Sequence, residues 1–459
     1  MNFTKIFAIM AAAGATTAAL ALPEVSNVRM EQNTLNCKVK ITYELSEAAV
    51  VTLDILTNAT PNAATGWASI GGQYICNAQG AVWRKVTTAD ISNGVYTITW
   101  QPNESWLNGN GEGFRVADGC AKAVVSAWSL DNPPDYLVVD LSASAQPNTQ
   151  RYYPRVDFLP GGILENDDYR ESSLVMRKVP AAGIEWTMGS VAETGRNAAR
   201  ETSHKVRLDA NYYLGVFPVT QSQYALVKSG ATRPSPSCFQ YEADKKMRPV
   251  ENICWNEIRC SNGETSGAAT YFWPNAPHGN SFLGRLRTKT GIPFDMPSEA
   301  QWEFACRAGN GEGKWGDGSD YLSSTTDANL AALACYGRAN IQNQVAEGDT
   351  TWSAADGGTM PVGTHAPNAW GFYDMNGNIF ELCLDWFEDD ITGHGGAINV
   401  NPAAPANNLS GSAGTYRVWR GGSYRHGASG CRAAARSEAI VNGRYNICGV
   451  RVACPASAE

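Results

Sequence analysis

From Leu22 to about Ser144 apolar and polar residues alternate with period two, the pattern of strands that bury one face. Val39-Lys40-Ile41-Thr42-Tyr43 and Val95-Tyr96-Thr97-Ile98-Thr99-Trp100 alternate, whereas Val50 to Leu56 is a more continuously apolar run. Val124 to Trp128 and Tyr136 to Asp140 add two more strands, and Asn93-Gly94 and Pro133-Pro134 mark turns. Several short strands divided by turns predict an N-terminal β-sandwich of fibronectin or immunoglobulin type over residues 22–144, a module suited to spacing or adhesion. Residues 145–178 are polar, carry Pro147, Pro154, Pro160 and the run Glu165-Asn166-Asp167-Asp168, and read as a linker. A second domain is expected over 179–456. Within it Pro297-Ser298 opens a helix over Glu299 to Arg307, with Ser298 as N-cap and Gln301 as its capping-box partner. Trp302, Ala305 and Cys306 form its apolar stripe, and Gly309 is placed to end it.

Residues 1–21 have the form of a secretory signal, with Lys5 ahead of the apolar run Ile6 to Leu20 and small residues at Ala19 and Ala21. The run falls short of the roughly 20 strongly apolar residues of a spanning helix, and no later segment reaches that length. The expected location is therefore outside the cytoplasm, periplasmic or extracellular. Losing Lys5 takes the formal charge from −8 to about −9. Without Lys/Arg clusters, such a chain offers no electrostatic footprint for nucleic acid. Forty-five Gly, 22 Pro and only 17% charged residues favour a loop-rich β or α+β protein. Export and the even count of 12 cysteines are compatible with disulfides whose connectivity spacing alone leaves open. The histidines His204, His278, His365, His394 and His426 are scattered, and none joins a sequence-visible catalytic triad or metal array.

The second domain carries a series of motifs: Gly183 to Ser190, Glu201 to Val206, Leu214 to Tyr224, Arg248 to Trp255, Met296 to Arg307, Asn368 to Asn378, Arg420-Gly421-Gly422-Ser423-Tyr424 and Gly449-Val450-Arg451. Together they resemble the formylglycine-generating enzyme (sulfatase-modifying factor) family. The resemblance implies an α+β fold of C-type-lectin-like topology, with long loops and little regular secondary structure. It also implies a structural calcium ion in the loop Asp374 to Glu381, held by the side chains of Asp374 and Glu381 and by the carbonyls of Gly377 and Ile379. Oxygen ligands in a tight glycine-bearing loop suit that hard cation. A second calcium site would fall on Asn340, Ile341 and Asp356.

Active members of the family carry two cysteines after the Arg-Gly-Gly-Ser-Tyr run, whose thiolates bind copper(I). Counted forward from Tyr424, the two places are His426 and Cys431, so only one thiol remains. Counted back from Ala434-Ala435-Arg436-Ser437, Cys431 instead matches a structural cysteine whose partner is Cys306. The resemblance thus implies either a Cys306–Cys431 disulfide without copper, the reading taken here, or a site built on His426 and Cys431. Two functions follow. One is a non-catalytic, calcium-stabilised binding or structural module for a glycan or protein, in which aromatic residues near Tyr271, Phe272 and Trp273 either stack on the ligand or, the reading favoured by their type, pack in the core. The other is an oxidase that makes formylglycine on a sulfatase polypeptide, or a related metal-dependent oxidase.

Overall fold

The computed structural model describes residues 22–33, 35–92, 94–142, 149–231, 233–240, 243–260, 276–337, 358–389, 399–400 and 416–458. The N-terminal stretch 1–21, the aromatic loop at Tyr271 to Trp273, and Asn340, Ile341 and Asp356 lie outside them. The described residues form a mixed α+β fold of many strands and a few short helices.

Strands appear where the alternation predicts them, at Val39–Leu45, Ala49–Thr57, Tyr96–Trp100, Ala121–Trp128 and Tyr136–Asp140. Val39–Leu45 lies between Val25–Gln32 and Tyr96–Trp100 in one sheet, and Ala49–Thr57 pairs with Ala121–Trp128 and Arg84–Val86 in another. Alternate residues of both sheets (Ile41, Tyr43, Leu53, Ile55, Ile98 and Trp100) share one buried cluster, as the pleat requires.

Tyr136–Asp140 belongs to a different sheet. It lies between Gln150–Tyr153 and Ser173–Val179, and that sheet continues through Tyr212–Gly215 to Ala453–Pro455 near the C-terminus. The proline-bearing segment read as a linker therefore contributes strands, and Leu174, Val175 and Met176 within it are buried. Two smaller sheets complete the C-terminal part. His204–Leu208 lies between Ile184–Met188 and Asn399–Val400, and Arg436–Ile440, Tyr416–Arg420, Phe380–Trp386 and Cys448–Gly449 follow one another.

Helix Glu299–Arg307 forms with Ser298 accepting the Gln301 N–H and Gln301 reaching back to the Ser298 N–H, the reciprocal cap expected from its sequence. It ends on Ala308 in the left-handed region, followed by Gly309 with φ 83°. None of the helices among the described residues is long and apolar enough to cross a membrane.

Candidate functional site

Strand Tyr416–Arg420 runs into Gly421 and Gly422, whose φ values of 95° and 72° only glycine adopts freely. A Cβ on Gly422 would stand 2.7 Å from the Cys431 sulfur, and one on Gly421 would stand 3.1 Å from the Met375 carbonyl oxygen. Gly421 thus lets this loop lie against the 374–381 loop, and Gly422 lets it close on its own Cys431.

Ser423 Oγ then lies 2.8 Å from His426 Nδ1, and the imidazole packs edge-on against Phe380 with centroids 4.7 Å apart. Burial, helped by the Arg425 guanidinium, lowers the His426 pKa and favours the neutral ring. Cys431 ends a 3-10 turn, Ala428–Cys431, fully buried. Burial, with the Cys335 thiol beside it, pushes the Cys431 thiol up to about 12. Cys306 is likewise pushed up to about 12 by burial, against the pull of Arg307 and Arg420.

No hydrogen bond joins His426 to Cys431 among the described residues, although Gly430 packs on the His426 side chain. A buried protonated thiol and an imidazole turned toward Ser423 do not fit copper(I), which calls for two thiolates. The disulfide expected between Cys306 and Cys431 is not formed either: both are free thiols. The Asn376 amide bridges them instead, 3.6 Å from Cys306 Sγ and donating at 2.7 Å to the Cys431 carbonyl.

In the neighbouring loop Asp374, Gly377 and Asn378 have φ values of 56°, 78° and 58°. A Cβ on Gly377 would stand 2.4 Å from the Cys335 carbonyl oxygen, which explains the glycine there. The Asp374 carboxylate accepts the Gly363 N–H at 2.8 Å and the Asn378 amide at 3.2 Å, while burial pushes its pKa up to about 6. Glu381, 0% exposed, faces Arg451. Arg451 Nε meets both carboxylate oxygens at 2.9 and 3.1 Å, its Nη2 meets one at 2.7 Å, and the Trp302 indole donates at 2.6 Å. The remaining guanidinium donors go to the carbonyls of Gly215, Val216 and Tyr373.

As folded, Asp374, Gly377, Ile379 and Glu381 do not fit calcium. The Glu381 charge is already compensated, the adjacent guanidinium repels a second cation, and the Gly377 carbonyl accepts the Ile379 N–H at 2.7 Å. Among the described residues no three His, Cys, Asp or Glu side chains gather in metal-binding geometry. The melting temperature is therefore expected to move by less than about 1 °C on adding EDTA or millimolar calcium, whereas an ion bound at this loop would raise it with concentration. Thermal unfolding followed by circular dichroism measures this.

The other arginines of the motifs are also interior struts. Arg420 pairs with Glu303 and donates to the carbonyls of Ala434 and Ala435. Arg307 also pairs with Glu303, Arg436 grips Glu299 with two bonds of 2.6 and 2.8 Å, and Arg432 meets both Glu193 and Glu201 at 2.7 Å. Burial would raise the Glu303 pKa, but Arg307 and Arg420 outweigh it and hold the carboxyl below its ordinary range. Arg417 lies between the Trp255 and Trp386 rings, 3.9 and 3.2 Å from their centroids. Glu193, Glu201 and Glu251 were not singled out in the sequence. Their signal was an acid inside or beside a motif that also carries buried aromatic residues.

A strand leading into a Gly-Gly turn, packed on a glycine-bearing loop and braced by buried arginine–carboxylate pairs, defines a protein of sulfatase-modifying-factor type. The family model described as sulfatase-modifying factor enzyme 1-like domain matches residues 148–456, and the chain belongs to that family. It is 26% identical over 287 residues to the serine/threonine-protein kinase pkn1 of Chlamydia pneumoniae, covering 61% of this chain and 39% of that protein. It is 31% identical over 146 residues to the formylglycine-generating enzyme of Thermomonospora curvata, covering 31% of this chain and 43% of the enzyme. The chain thus spans less than half the length of either relative. Among solved structures, Treponema denticola variable protein 1 aligns over 62% of this chain and 95% of its own, at 23% identity and a TM-score of 0.43.

Proposed function

We propose that this protein is an exported, non-catalytic member of the family. In this reading its C-terminal part is a rigid binding or structural module for a glycan or protein ligand, and the strands from Val25 to Trp128 are an immunoglobulin-like sandwich that spaces it, Tyr136–Asp140 having joined the module's sheet. The observation that carries the reading is the state of the Gly421–Cys431 loop. The one thiol there, Cys431, is fully buried with its pKa pushed up to about 12, and His426 stands at the other position as a neutral ring hydrogen-bonded to Ser423. A thiol so far above neutral pH is a poor nucleophile and a poor soft-metal ligand. The shared core of Ile41, Leu53, Phe217, Val362 and Tyr373 supports a spacer fixed to the module rather than tethered to it.

Co-expression with a Cys-x-Pro-x-Arg peptide, followed by mass spectrometry, is expected to return the peptide with its cysteine unchanged. Aldehyde that disappears in Cys431→Ser and persists in Cys306→Ser would establish the oxidase instead.

A further inference from the structure

Where the N-terminal strands meet strand Gln150–Tyr153, the surface opens into a cleft of about 430 Å³, within the range of small-molecule sites. Its walls come from residues 76–84 and from Arg151 and Tyr153. Most of them therefore lie ahead of residue 148, where the family match begins. The junction is held by the Tyr152 N–H, which donates to the Trp83 carbonyl at 2.8 Å. Trp83 adopts φ 60°, a conformation a bulky residue takes only when its surroundings impose it. Its ring packs on Tyr153 and Phe158 at centroid distances of 5.3 and 6.0 Å.

The lining is rich in hydrogen-bonding groups that the protein uses only in part, the Asn77 amide oxygen accepting the Ser105 hydroxyl at 3.4 Å. Tyr153 is only 5% exposed, yet its hydroxyl has no hydrogen-bond partner among the described residues. That hydroxyl stays accessible, so it can donate and accept within the cleft. Arg84 is neutralised by Asp90 at 2.7 Å, but Arg151 pairs with no acid among the described residues and spends one donor on the Gln150 carbonyl at 3.1 Å. Asn77 and Gln79 add amides that both donate and accept, and no carboxylate lines the cleft. The Cys76 thiol beside them has its pKa raised by burial, so it adds no negative charge.

We propose that this cleft binds an acidic monosaccharide of hexuronic-acid type, with Arg151 taking the carboxylate and Asn77, Gln79 and the Tyr153 hydroxyl meeting ring hydroxyls. One uncompensated guanidinium suits a monoanion rather than a phosphate dianion. Paired donors and acceptors suit hydroxyl groups, which need both. The site is separate from the Gly421–Cys431 loop, and its occupancy is independent of whether that loop is catalytic.

Titration calorimetry of the full chain with glucuronate, galacturonate, glucose and acetate tests the assignment. At least one uronate is expected to bind, with glucose and acetate weaker by about tenfold or more. Arg151→Gln is expected to weaken uronate binding by about tenfold or more, and Tyr153→Phe, which keeps the ring on Trp83, by several-fold, with melting temperatures near wild type. Arg151 is exposed, so its variant reports on binding rather than folding. No uronate binding, equal binding of glucose or acetate, or unchanged affinity in either variant would overturn the proposal.

Discussion

Replacing Arg451 by methionine is expected to destabilise the fold by about 3–5 kcal/mol, the usual cost of removing one partner of a buried ion pair. The side chain is 0% exposed, and every donor of its guanidinium is used: two on Glu381 and the rest on the carbonyls of Gly215, Val216 and Tyr373. Methionine fills much of the volume but leaves the Glu381 charge facing only the Trp302 indole and takes a donor from each of the three carbonyls, of which Val216 still accepts the Tyr373 N–H at 3.0 Å. Adding Glu381→Gln to this variant removes the buried charge, so the double variant is expected to recover part of the loss. A cycle built from the two single variants and the double isolates that coupling. Urea unfolding monitored by tryptophan fluorescence measures all four proteins. A loss below about 1 kcal/mol in Arg451→Met, or recovery of the single variant on adding calcium, would return Glu381 to the role of a cation ligand.

The same pair shows where sequence reading stops. An acid in a Gly-Asn loop is chemically suited to hold a cation or to face a guanidinium. What decides is Arg451, 70 residues further on and brought in by the parallel pairing of Cys448–Gly449 with Phe380–Trp386. No local pattern carries that contact. Local patterns did carry what they encode: the period-two strands from Val39 to Asp140, and helix Glu299–Arg307 with its Ser298–Gln301 cap. They missed strand Gln150–Tyr153, only four residues long between Pro147 and Pro154, because its pairing with Tyr136–Asp140 is a backbone property that composition does not record. Proline ended the strand without abolishing it, since Pro154 lies just beyond it. In the Gly421–Cys431 loop the residue types were legible. The burial that keeps Cys431 a thiol, and the Asn376 amide that bridges it to Cys306, depend on the packing of three separate segments.

Glu251→Gln is expected to make the protein less stable than wild type at pH 5 and more stable at pH 9, so that the two stability curves cross. Glu251 is 0% exposed. One of its oxygens accepts the N–H groups of Cys238 and Phe239 at 2.6 and 3.3 Å, and the other has no partner among the described residues. Burial outweighs those hydrogen bonds and pushes the carboxyl up to about 8. The unfolded chain releases this proton near pH 4.3, by the ordinary glutamate value, whereas the folded chain keeps it to about 8. Between those limits the folded state binds more protons, so stability is greatest below the lower limit, falls as pH rises, and levels off above the upper one. The slope approaches about 1.4 kcal/mol per pH unit, and the total is on the order of 5 kcal/mol. Glutamine keeps an acceptor for the Cys238 and Phe239 N–H groups and has no charge to expel. At low pH its amide costs about 1–3 kcal/mol, because its N–H groups take the place of the oxygen that has no partner. Asp374 and Asp385, raised by burial to about 6 and about 7, titrate in the same direction in both proteins and cancel in the difference. Urea unfolding from pH 5 to 9 on wild type and variant gives that difference directly. Parallel curves would mean that Glu251 is already ionised at neutral pH, with a compensating charge beside it.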